Sequence, residues 1–323
     1  GYSTETYLQV VGSSTPTPTP VPTPTPSSVP TGTNAKGPQP VQGPTVSGAY
    51  YVATNGDDSR SCSTAQNENT PKRTINNAVT CLTPGKTLYI RQGTYAETLL
   101  GVIPTGAPGS PVTISSYPGE RATLIPPPGY TSGYLMEFSG EHFPWSFYNM
   151  DPSPYHDKYI TIDGLILDGQ MVATGIKIYG ADHITIRNTE FVRGTGHVLE
   201  GLAANDMLVQ NIWIHDYGVD NGYGPGHNAT YMVGNNLTIE NSIINNGCVG
   251  CTTTSGSGIG IWWAGGDTLP QASWDNITIR NNLVYNMGGG NQGAWGIYCG
   301  TRKAIKCNIY NNIVHNLHGG NSF

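Results

Sequence analysis

Six ionisable residues in the middle of the chain are the candidates for catalysis. They combine carboxylates with bases and cations, and they are Lys177, Glu190, Arg193, His197, Glu200 and His215. Cleavage of an acidic polysaccharide by elimination needs a cation that neutralises the uronate carboxylate and a base beside the acidic carbon of the sugar. The set contains both kinds of group, so polysaccharide lyase is the enzymatic activity we predict. Solvated polar surface is the alternative, because no spacing singles these residues out.

The same reasoning limits the cofactors. A lyase of this kind neutralises the carboxylate with Ca²⁺ or with arginine, so Ca²⁺ is a cofactor only under the lyase reading, and the sequence otherwise indicates none. Hydrolysis of a glycosidic bond would instead need two or three carboxylates at a fixed separation. The candidates for these are Asp168, Glu190, Asp216 and Asp220. The adjacent pair Asp57 and Asp58 follows turn-forming residues, and a polar turn explains it better.

Aromatic residues suggest a second kind of site. Four of them fall in a loop-rich section between Gly258 and Gly300, namely Trp262, Trp263, Trp295 and Tyr298. Flat rings stack on the faces of sugars, so these are our glycan-binding candidates. Packing beneath the long insertions is the alternative for side chains of this size.

A repeated strand pattern must position all of these residues. Apolar and polar residues alternate before an asparagine that recurs at Asn188, Asn211, Asn241, Asn281 and Asn311, after a degenerate copy at Gly164. The intervals are 24, 23, 30, 40 and 30 residues. Alternation with a period of two indicates short strands with one buried face, and repetition at this longer period indicates a solenoid.

The recurring asparagine has a physical use in such a solenoid. Coils stacked about 4.8 Å apart would let each side-chain amide bond to the asparagines above and below it. Asparagine also tolerates the left-handed backbone conformation that a sharp bend requires. We therefore predict an internal asparagine ladder, with ordinary surface turns as the alternative.

These features resemble the right-handed parallel β-helix of pectate-lyase-like proteins. Residues 175–178 and 258–261 have the matching strand character, and residues 50–58, 74–82 and 87–95 are similar to the N-terminal capping coil of that family. The resemblance implies an all-β, right-handed parallel β-helix solenoid with an N-terminal capping helix, preceded by a Pro/Thr-rich extended arm. It does not select an activity, because the fold carries lyases, hydrolases, adhesins and structural spikes.

Composition divides the chain into three parts. Residues 1–12 have strand character and form an N-terminal β-strand arm, with Tyr7, Leu8, Val10 and Val11 as its assembly residues. Residues 13–46 are a Pro/Thr/Ser-rich linker that cannot bury a core and should extend as polyproline II. Residues 47–323 are the β-helix. At roughly 3.1 Å per residue the linker reaches on the order of 100 Å, well beyond its own domain.

The two ends of the solenoid differ. A cap for the first coil is predicted by apolar residues at helical spacing, namely Ile75, Ala78, Val79 and Leu82, whereas no amphipathic segment follows residues 311–315. An open coil and a strand on a long arm together favour donation of the arm to a neighbouring subunit. The main hypothesis is therefore an extracellular structural subunit of a self-assembling surface filament. A carbohydrate-active enzyme (lyase or glycoside hydrolase) and a glycan-binding adhesive module are the alternatives.

Composition also bears on the compartment. Charged residues make up 11% of the chain and the net charge is −6, so there is no basic footprint for nucleic acid. No apolar run approaches the roughly 18 residues that span a membrane. The chain begins at Gly1 without a signal peptide, which indicates a processed form or a fragment. We expect an extracellular or cell-surface location, with self-association and glycans as the partners.

The cysteines and sequons fit this location. Six cysteines in a polar chain favour an oxidising compartment and three local disulfides, for which the expected pairs are Cys62 with Cys81, Cys248 with Cys251, and Cys299 with Cys307. A zinc site is not expected, because a structural zinc needs four ligands and no second CxxC exists. The glycosylation candidates are Asn228, Asn236 and Asn276.

The filament hypothesis predicts that deletion of residues 1–12 abolishes assembly and leaves the β-helix folded, because only the donated strand is lost. Negative-stain electron microscopy of the truncated and full-length chains would check this, with circular dichroism as the control for folding. Polymers formed by the truncated chain would show that the arm is not what joins the subunits.

Overall fold

A computed structural model describes residues 35–139, 156–219, 227–261, 275–289, 293–300 and 306–318. These residues form three sheets of parallel strands that follow one another around each coil, which confirms the predicted right-handed parallel β-helix. The strands are numbered β1–β24 in chain order. Within this part of the chain, no helix is long and apolar enough to cross a membrane.

Sheet A runs the length of the described solenoid. In spatial order its strands are β1 (Tyr50–Val52), β2 (Thr87–Ile90), β5 (Val112–Ser116), β8 (His156–Asp163), β11 (Ala181–Arg187), β14 (Met207–Gln210), β17 (Leu237–Glu240), β20 (Ile277–Arg280) and β23 (Cys307–Tyr310). The recurrent asparagine motif of the sequence supplies most of these strands, each ending just before its marker residue.

Sheet B follows sheet A after a turn of about two residues. Its strands, in spatial order, are β3 (Gly93–Ala96), β6 (Ala122–Ile125), β9 (Ile166–Asp168), β12 (Glu190–Val192), β15 (Trp213–Tyr217), β18 (Ile243–Gly247), β21 (Leu283–Met287) and β24 (Ile313–Leu317).

Sheet C completes each coil and leads into the next strand of sheet A. Its strands are β4 (Leu99–Leu100), β7 (Tyr134–Ser139), β10 (Thr174–Tyr179), β13 (Leu199–Leu202), β16 (His227–Val233), β19 (Gly256–Ile261) and β22 (Ile297–Cys299). Two long connections follow strands of this sheet: β7 ends at Ser139 before β8 begins at His156, and β19 ends at Ile261 before β20 begins at Ile277. Long loops on a rigid scaffold are where binding and catalytic groups concentrate.

The core follows from the alternation along each strand. Ile184 and Ile186 of β11 are fully buried, and they stack in register on Ile160 and Ile162 of β8. Because side chains alternate across a strand, the residues between them face outward. Register between coils therefore generates inward apolar columns and outward rows, and the outward rows carry the polar chemistry.

The predicted asparagine ladder lies at the corner between sheets A and B. All five marker asparagines have φ between 51° and 58°, in the left-handed region. Asn188 donates to Asp163 Oδ1 at 2.8 Å and Asn211 donates to Asn188 Oδ1 at 3.4 Å, while Asn281 donates to Asn241 Oδ1 at 3.2 Å. The described ladder therefore has two runs, and Asp163 begins the first of them in the coil where Gly164 replaces the marker asparagine.

Two further columns of asparagine stack at the other corners. The second asparagine column, between sheets B and C, consists of Asp216, Asn246, Asn286 and Asn316. The third asparagine column, between sheets C and A, consists of Asp206, Asn236 and Asn276. Every member has a positive φ, so each corner of the coil uses the same solution to turn the chain.

Residues 35–46, which the sequence assigns to the linker, lie along the A–B corner as a strap. The backbone nitrogen atoms of Lys36 and Gly37 donate to the carbonyl of Asn241 at 3.1 and 3.3 Å. Further along, the carbonyl of Val41 accepts from Gly119 N at 2.9 Å. A Cβ on Gly164 would lie 2.5 Å from Val41 Cγ2, so the missing asparagine in this coil makes room for the strap.

The N-terminal coil is closed by α1 (Ile75–Val79), preceded by a 3-10 turn (Thr64–Gln66). Ile75, Ala78 and Val79 are buried beneath the helix, and the carboxylate of Glu97 accepts from Ile75 N at 2.9 Å. This bond satisfies one of the backbone donors that a helix start leaves unpaired. The helix therefore covers the apolar interior of the first coil.

Three disulfides join the cysteines in the pairs expected from the sequence. They are Cys62–Cys81 beside the capping helix, Cys248–Cys251 in the turn after β18, and Cys299–Cys307 between β22 and β23.

The ladder predicts different costs for two substitutions at Asn281. Asn281→Gly should lower the free energy of unfolding by about 1–3 kcal/mol, because Asn241 Oδ1 loses its donor. Asn281→Ala should cost about 1–2 kcal/mol more, because alanine is strained at a φ of 58°. Denaturant titration of both variants checks this, and equal losses would mean that the left-handed corner is not the constraint.

Candidate functional site

An outward row of charged residues crosses sheet C. Glu137, Lys177 and Glu200 are register partners on the adjacent strands β7, β10 and β13. Lys177 lies between Ile176 and Ile178, which are fully buried in the core, so its side chain projects from the outer face. The row therefore places one cation between two carboxylates, at one strand spacing from each.

Tyr134 links the members of this row. Lys177 Nζ donates to Tyr134 Oη at 2.6 Å, and Tyr134 Oη donates to Glu200 Oε2 at 3.1 Å. Lys177 Nζ also lies 3.6 Å from Glu200 Oε2, and above the rings of Tyr134 and Tyr179 at 4.5 and 4.2 Å. The cluster is thus a hydrogen-bonded chain from the ammonium through the phenol to the carboxylate.

Burial controls the ionisation of the cluster. The side chains of Lys177 and Glu200 are each only 10% exposed. Burial lowers the pKa of Lys177, although Glu200 and Glu137 oppose the change. Burial also raises the pKa of Glu200, against the opposing effects of Lys177 and Tyr134. Glu200 therefore holds a proton to higher pH than an ordinary glutamate, as a general acid must.

A neutral histidine adjoins the cluster on the same face. His197 stacks on Tyr231 with ring centroids 4.6 Å apart, and its Nδ1 accepts from Asn228 N at 3.2 Å. Burial lowers the pKa of His197 to about 4, and the charges of His227 and Lys177 add to this effect. The backbone bond fixes Nδ1 as the acceptor, so the proton of the neutral ring is on Nε2.

The outward row continues with less charge. Beyond Glu200 it passes through Tyr231, Gly260 and Tyr298 on β16, β19 and β22. Trp295 stacks on Tyr298 with centroids 5.2 Å apart, and the two residues are 38% and 36% exposed. Of the four glycan-binding candidates, these two therefore lie on the sheet C face; Trp262 and Trp263 lie outside the described residues.

A second polar cluster lies on the outer side of sheet B. His215 is held between two carboxylates, with Nδ1 2.8 Å from Asp216 Oδ2 and Nε2 3.2 Å from Glu190 Oε1, and its ring stacks on Trp213. Burial opposes protonation of His215, but the bonds to Asp216 and Glu190 outweigh it and raise its pKa. Arg193 pairs with Asp168 in the same sheet region.

The six catalytic candidates thus divide between two faces. Lys177, His197 and Glu200 lie on or beside sheet C, whereas Glu190, Arg193 and His215 belong to the sheet B cluster. A single site containing all six is therefore not what the structure shows. The carboxylate candidates Asp168 and Asp216 also lie with the sheet B cluster, and Asp220 lies outside the described residues. The physical reason is the short turn between β12 and β13, which separates Arg193 from His197, only four positions later, and carries them to differently facing sheets.

The remaining candidates fall in different settings. Asn228 is in β16 with its amide 3.3 Å from His197 Nδ1, whereas Asn236 and Asn276 are exposed members of the third asparagine column. The assembly residues Tyr7, Leu8, Val10 and Val11 lie outside the described residues.

Tyr134 and Glu137 were missed by the sequence reasoning. Both are on β7, whose coil lacks an asparagine marker and is followed by a long connection, so nothing placed that strand in register with Lys177. The second asparagine column was also missed. Its signal is an asparagine five residues after each of Asn241, Asn281 and Asn311.

Calcium does not suit the sheet C row. Lys177 already supplies a positive charge to Glu200, and a calcium site needs six to eight oxygen ligands without a competing ammonium. Among the described residues, no group of three or more His, Cys, Asp or Glu side chains is arranged to hold a metal ion.

Comparisons with known proteins give fold-level likeness. The sequence matches no protein-family profile. It is 34% identical over 160 residues to the "Uncharacterized protein YwoF" of Bacillus subtilis (strain 168), and the aligned region covers 46% of this chain and 29% of that protein. The chain thus spans less than a third of the relative's length.

Solved structures with a similar course of the chain have low sequence identity. Pectate lyase Pel9A aligns with 77% of this chain over 67% of its own length, with a sequence identity of 13% and a TM-score of 0.43. XylC in complex with xylose aligns with 82% of this chain over 62% of its own length, with a sequence identity of 11% and a TM-score of 0.46. The alginate lyase from Paenibacillus sp. str. FPU-7 aligns with 84% of this chain over 99% of its own length, with a sequence identity of 15% and a TM-score of 0.39. Values this low transfer no site residue to this chain.

The buried neutral His197 predicts a specific pH dependence of stability. Its folded pKa of about 4 is below the unfolded value of about 6.5, so the unfolded state binds more protons between these values. Stability from this residue is therefore present above pH 6.5 and is lost as pH falls toward 4. Between pH 7 and pH 5 the loss should be about 1–2 kcal/mol, allowing for partial exposure.

His197→Asn tests this, because asparagine keeps an acceptor for Asn228 N but does not titrate. The free energy of unfolding of the variant should fall less than that of the wild type between pH 7 and pH 5, and His318→Asn, which removes an exposed histidine, is the control. An equal fall in wild type and His197→Asn would contradict the assignment.

Proposed function

We propose that the chain is a secreted glycoside hydrolase that cleaves a neutral polysaccharide at the outer face of sheet C. The observation that carries the proposal is the outward row in which Glu137 and Glu200 flank Lys177 on three adjacent strands. Two carboxylates at a fixed separation, one with a raised pKa, are the requirement for hydrolysis of a glycosidic bond.

Sheet geometry sets the separation of the two carboxylates. Glu137 and Glu200 are two strand spacings apart, which is roughly 9–10 Å between their backbones. Their side chains leave the same face of one sheet, so a similar distance applies to the carboxyl groups. This is near the range of about 6.5–9.5 Å used by inverting enzymes and well above the roughly 5 Å of retaining enzymes.

The environments of the two carboxylates assign their roles. Glu200 is the general acid, because its burial raises its pKa and Tyr134 steadies its Oε2. It donates its proton to the glycosidic oxygen as the bond to the anomeric carbon breaks. Glu137, beside the Lys177 ammonium, is the general base, which takes a proton from the water that attacks that carbon. Glu200 gives up one proton and Glu137 gains one, so the net number of protons on the pair is unchanged and the reaction needs no cofactor.

Charge favours a neutral substrate. Within the described part of the sheet C row, Lys177 is the cation, and Glu137 on the adjacent strand carries the opposing charge. With Glu200 protonated as the general acid, these two charges cancel, so the row offers an acidic polymer no net positive charge. Lyase activity is the second candidate. The observation that favours it is the burial of Lys177, whose side chain is 10% exposed, because burial lowers the pKa of the amine and so favours its neutral form, which is a base for elimination.

Secretion and assembly are further parts of the proposal. Three disulfides support an oxidising, extracellular location. The filament role ranks below hydrolysis, because the hydrogen-bonded cluster on sheet C supplies groups for catalysis. Self-association through the arm remains a separate prediction, tested by its deletion.

Substitution of either carboxylate should abolish hydrolysis. Glu200→Gln and Glu137→Gln are each expected to lower kcat by about 10²–10⁴-fold, because each removes one proton transfer. The measurement is release of reducing ends from a panel of neutral polysaccharides such as xylan, glucomannan and arabinan. The basic limb of the wild-type pH profile should lie above the ordinary glutamate pKa, because activity is lost as pH rises through the raised pKa of Glu200.

Glu240→Gln is the matched control. Glu240 also faces outward from its sheet, has a side chain that is 8% exposed, and pairs with Arg280, but it lies on sheet A. It should leave kcat within about twofold of wild type. The hydrolase proposal is wrong if the wild type cleaves no neutral polymer but releases unsaturated products, detected by their ultraviolet absorbance, from a uronate polymer. The reaction would then be elimination.

A further inference from the structure

A cleft of about 540 Å³ opens beside the second asparagine column, at the corner between sheets B and C. Its lining includes Asp216, Asn246, Asn286 and Asn316 of that column, together with the apolar residues Met171 and Val249. We infer that this cleft binds a linear, neutral oligosaccharide segment, as a site separate from the row on sheet C.

The column presents a repeating set of hydrogen-bond donors. Asn246 donates to Asp216 Oδ1 at 2.8 Å, Asn286 donates to Asn246 Oδ1 at 3.3 Å, and Asn316 donates to Asn286. Each carboxamide nitrogen has two hydrogens, and the column uses one of them. The second hydrogens recur once per coil, about 4.8 Å apart. That spacing is close to the length of one pyranose unit, so successive sugars of a linear chain meet equivalent donors.

Asp216 adds a fixed acceptor at one end of the column. Its Oδ2 bonds to His215 Nδ1 at 2.8 Å, and this bond, ahead of the bond from Asn246, lowers the pKa of Asp216. The carboxylate is therefore ionised at neutral pH and accepts from sugar hydroxyl groups. Among the described residues that line the cleft there is this one carboxylate and no lysine or arginine, which favours a neutral glycan over an acidic one.

The cleft lining also contains apolar side chains that are exposed. Val249 is 63% exposed and Met171 is 40% exposed, both high values for side chains of their type. The Cys248–Cys251 disulfide closes the turn that carries Val249, so this exposed side chain is held in place. A pyranose ring has a C–H face and hydroxyl edges, and a cleft lined by both apolar and amide groups complements both.

Calorimetric titration of the full chain tests the inference. The probes are xylohexaose, cellohexaose and mannohexaose, and every chain carries Glu200→Gln so that no probe is cleaved. At least one probe should bind, and both Asn286→Asp and Val249→Arg should weaken its binding at least tenfold. The first variant removes a donor of the column, and the second fills the cleft from its apolar rim.

Asn276→Asp is the matched control, because Asn276 donates to Asn236 Oδ1 at 2.9 Å in the third asparagine column, in the same coil as Asn286 but away from the cleft. It should bind the probe as the parent does. Val249→Arg changes an exposed residue and should keep the parent's melting temperature. Binding of no probe, equal weakening by Asn276→Asp, or normal binding by Val249→Arg would each overturn the inference. None of these results depends on whether Glu200 is catalytic.

Discussion

The left-handed corner is the constraint on which this solenoid depends. Each coil must turn sharply between short strands, and an L-residue at positive φ costs about 1–2 kcal/mol. Asparagine reduces that cost, and stacking of its amide on the next coil adds hydrogen bonds along the axis within each described run of the ladder. The repeated corners keep the strands of each sheet aligned from coil to coil, with one irregularity between Asp182 and Ile184 where β11 pairs with β8.

Register is what converts separate coils into a site. Residues on the outer face have no apolar core to place them, so their relative positions come from the strand pairing alone. On sheet C that pairing aligns Glu137, Lys177 and Glu200, although the chain separates them by a long connection and a short one. On sheet B, strand pairing aligns Glu190 with Trp213. It also places Asp168 and His215 in one row, on the strands to either side of β12.

The strap shows how the pattern is adapted locally. Gly164 interrupts the marker position, and Asp163 supplies the acceptor that an asparagine would otherwise provide to Asn188. The space left by the missing side chain is occupied by Val41. A break in a repeat therefore has a packing reason here, and it ties the segment before the first strand to the body of the solenoid.

Much of the fold was predictable because its signals are local. Alternation within a strand and the asparagine at its end identify strands and corners without knowledge of distant contacts. The candidate site was only partly predictable: Lys177 and Glu200 were named as candidates, but Glu190 and His215 were grouped with them because a sequence does not show which face each strand presents. Glu137 was missed because its strand precedes a long connection and carries no marker, so only three-dimensional register reveals its place in the row.

The stereochemistry of the first product tests the central claim most directly. Proton NMR of a neutral polysaccharide during the first turnovers reports the anomeric configuration of the new reducing end before mutarotation. Carboxylates two strands apart leave room for a water, so the account predicts inversion at the anomeric carbon. Retention of configuration, or an unsaturated sugar at the new end, would contradict the assignment of Glu137 and Glu200 as an inverting pair.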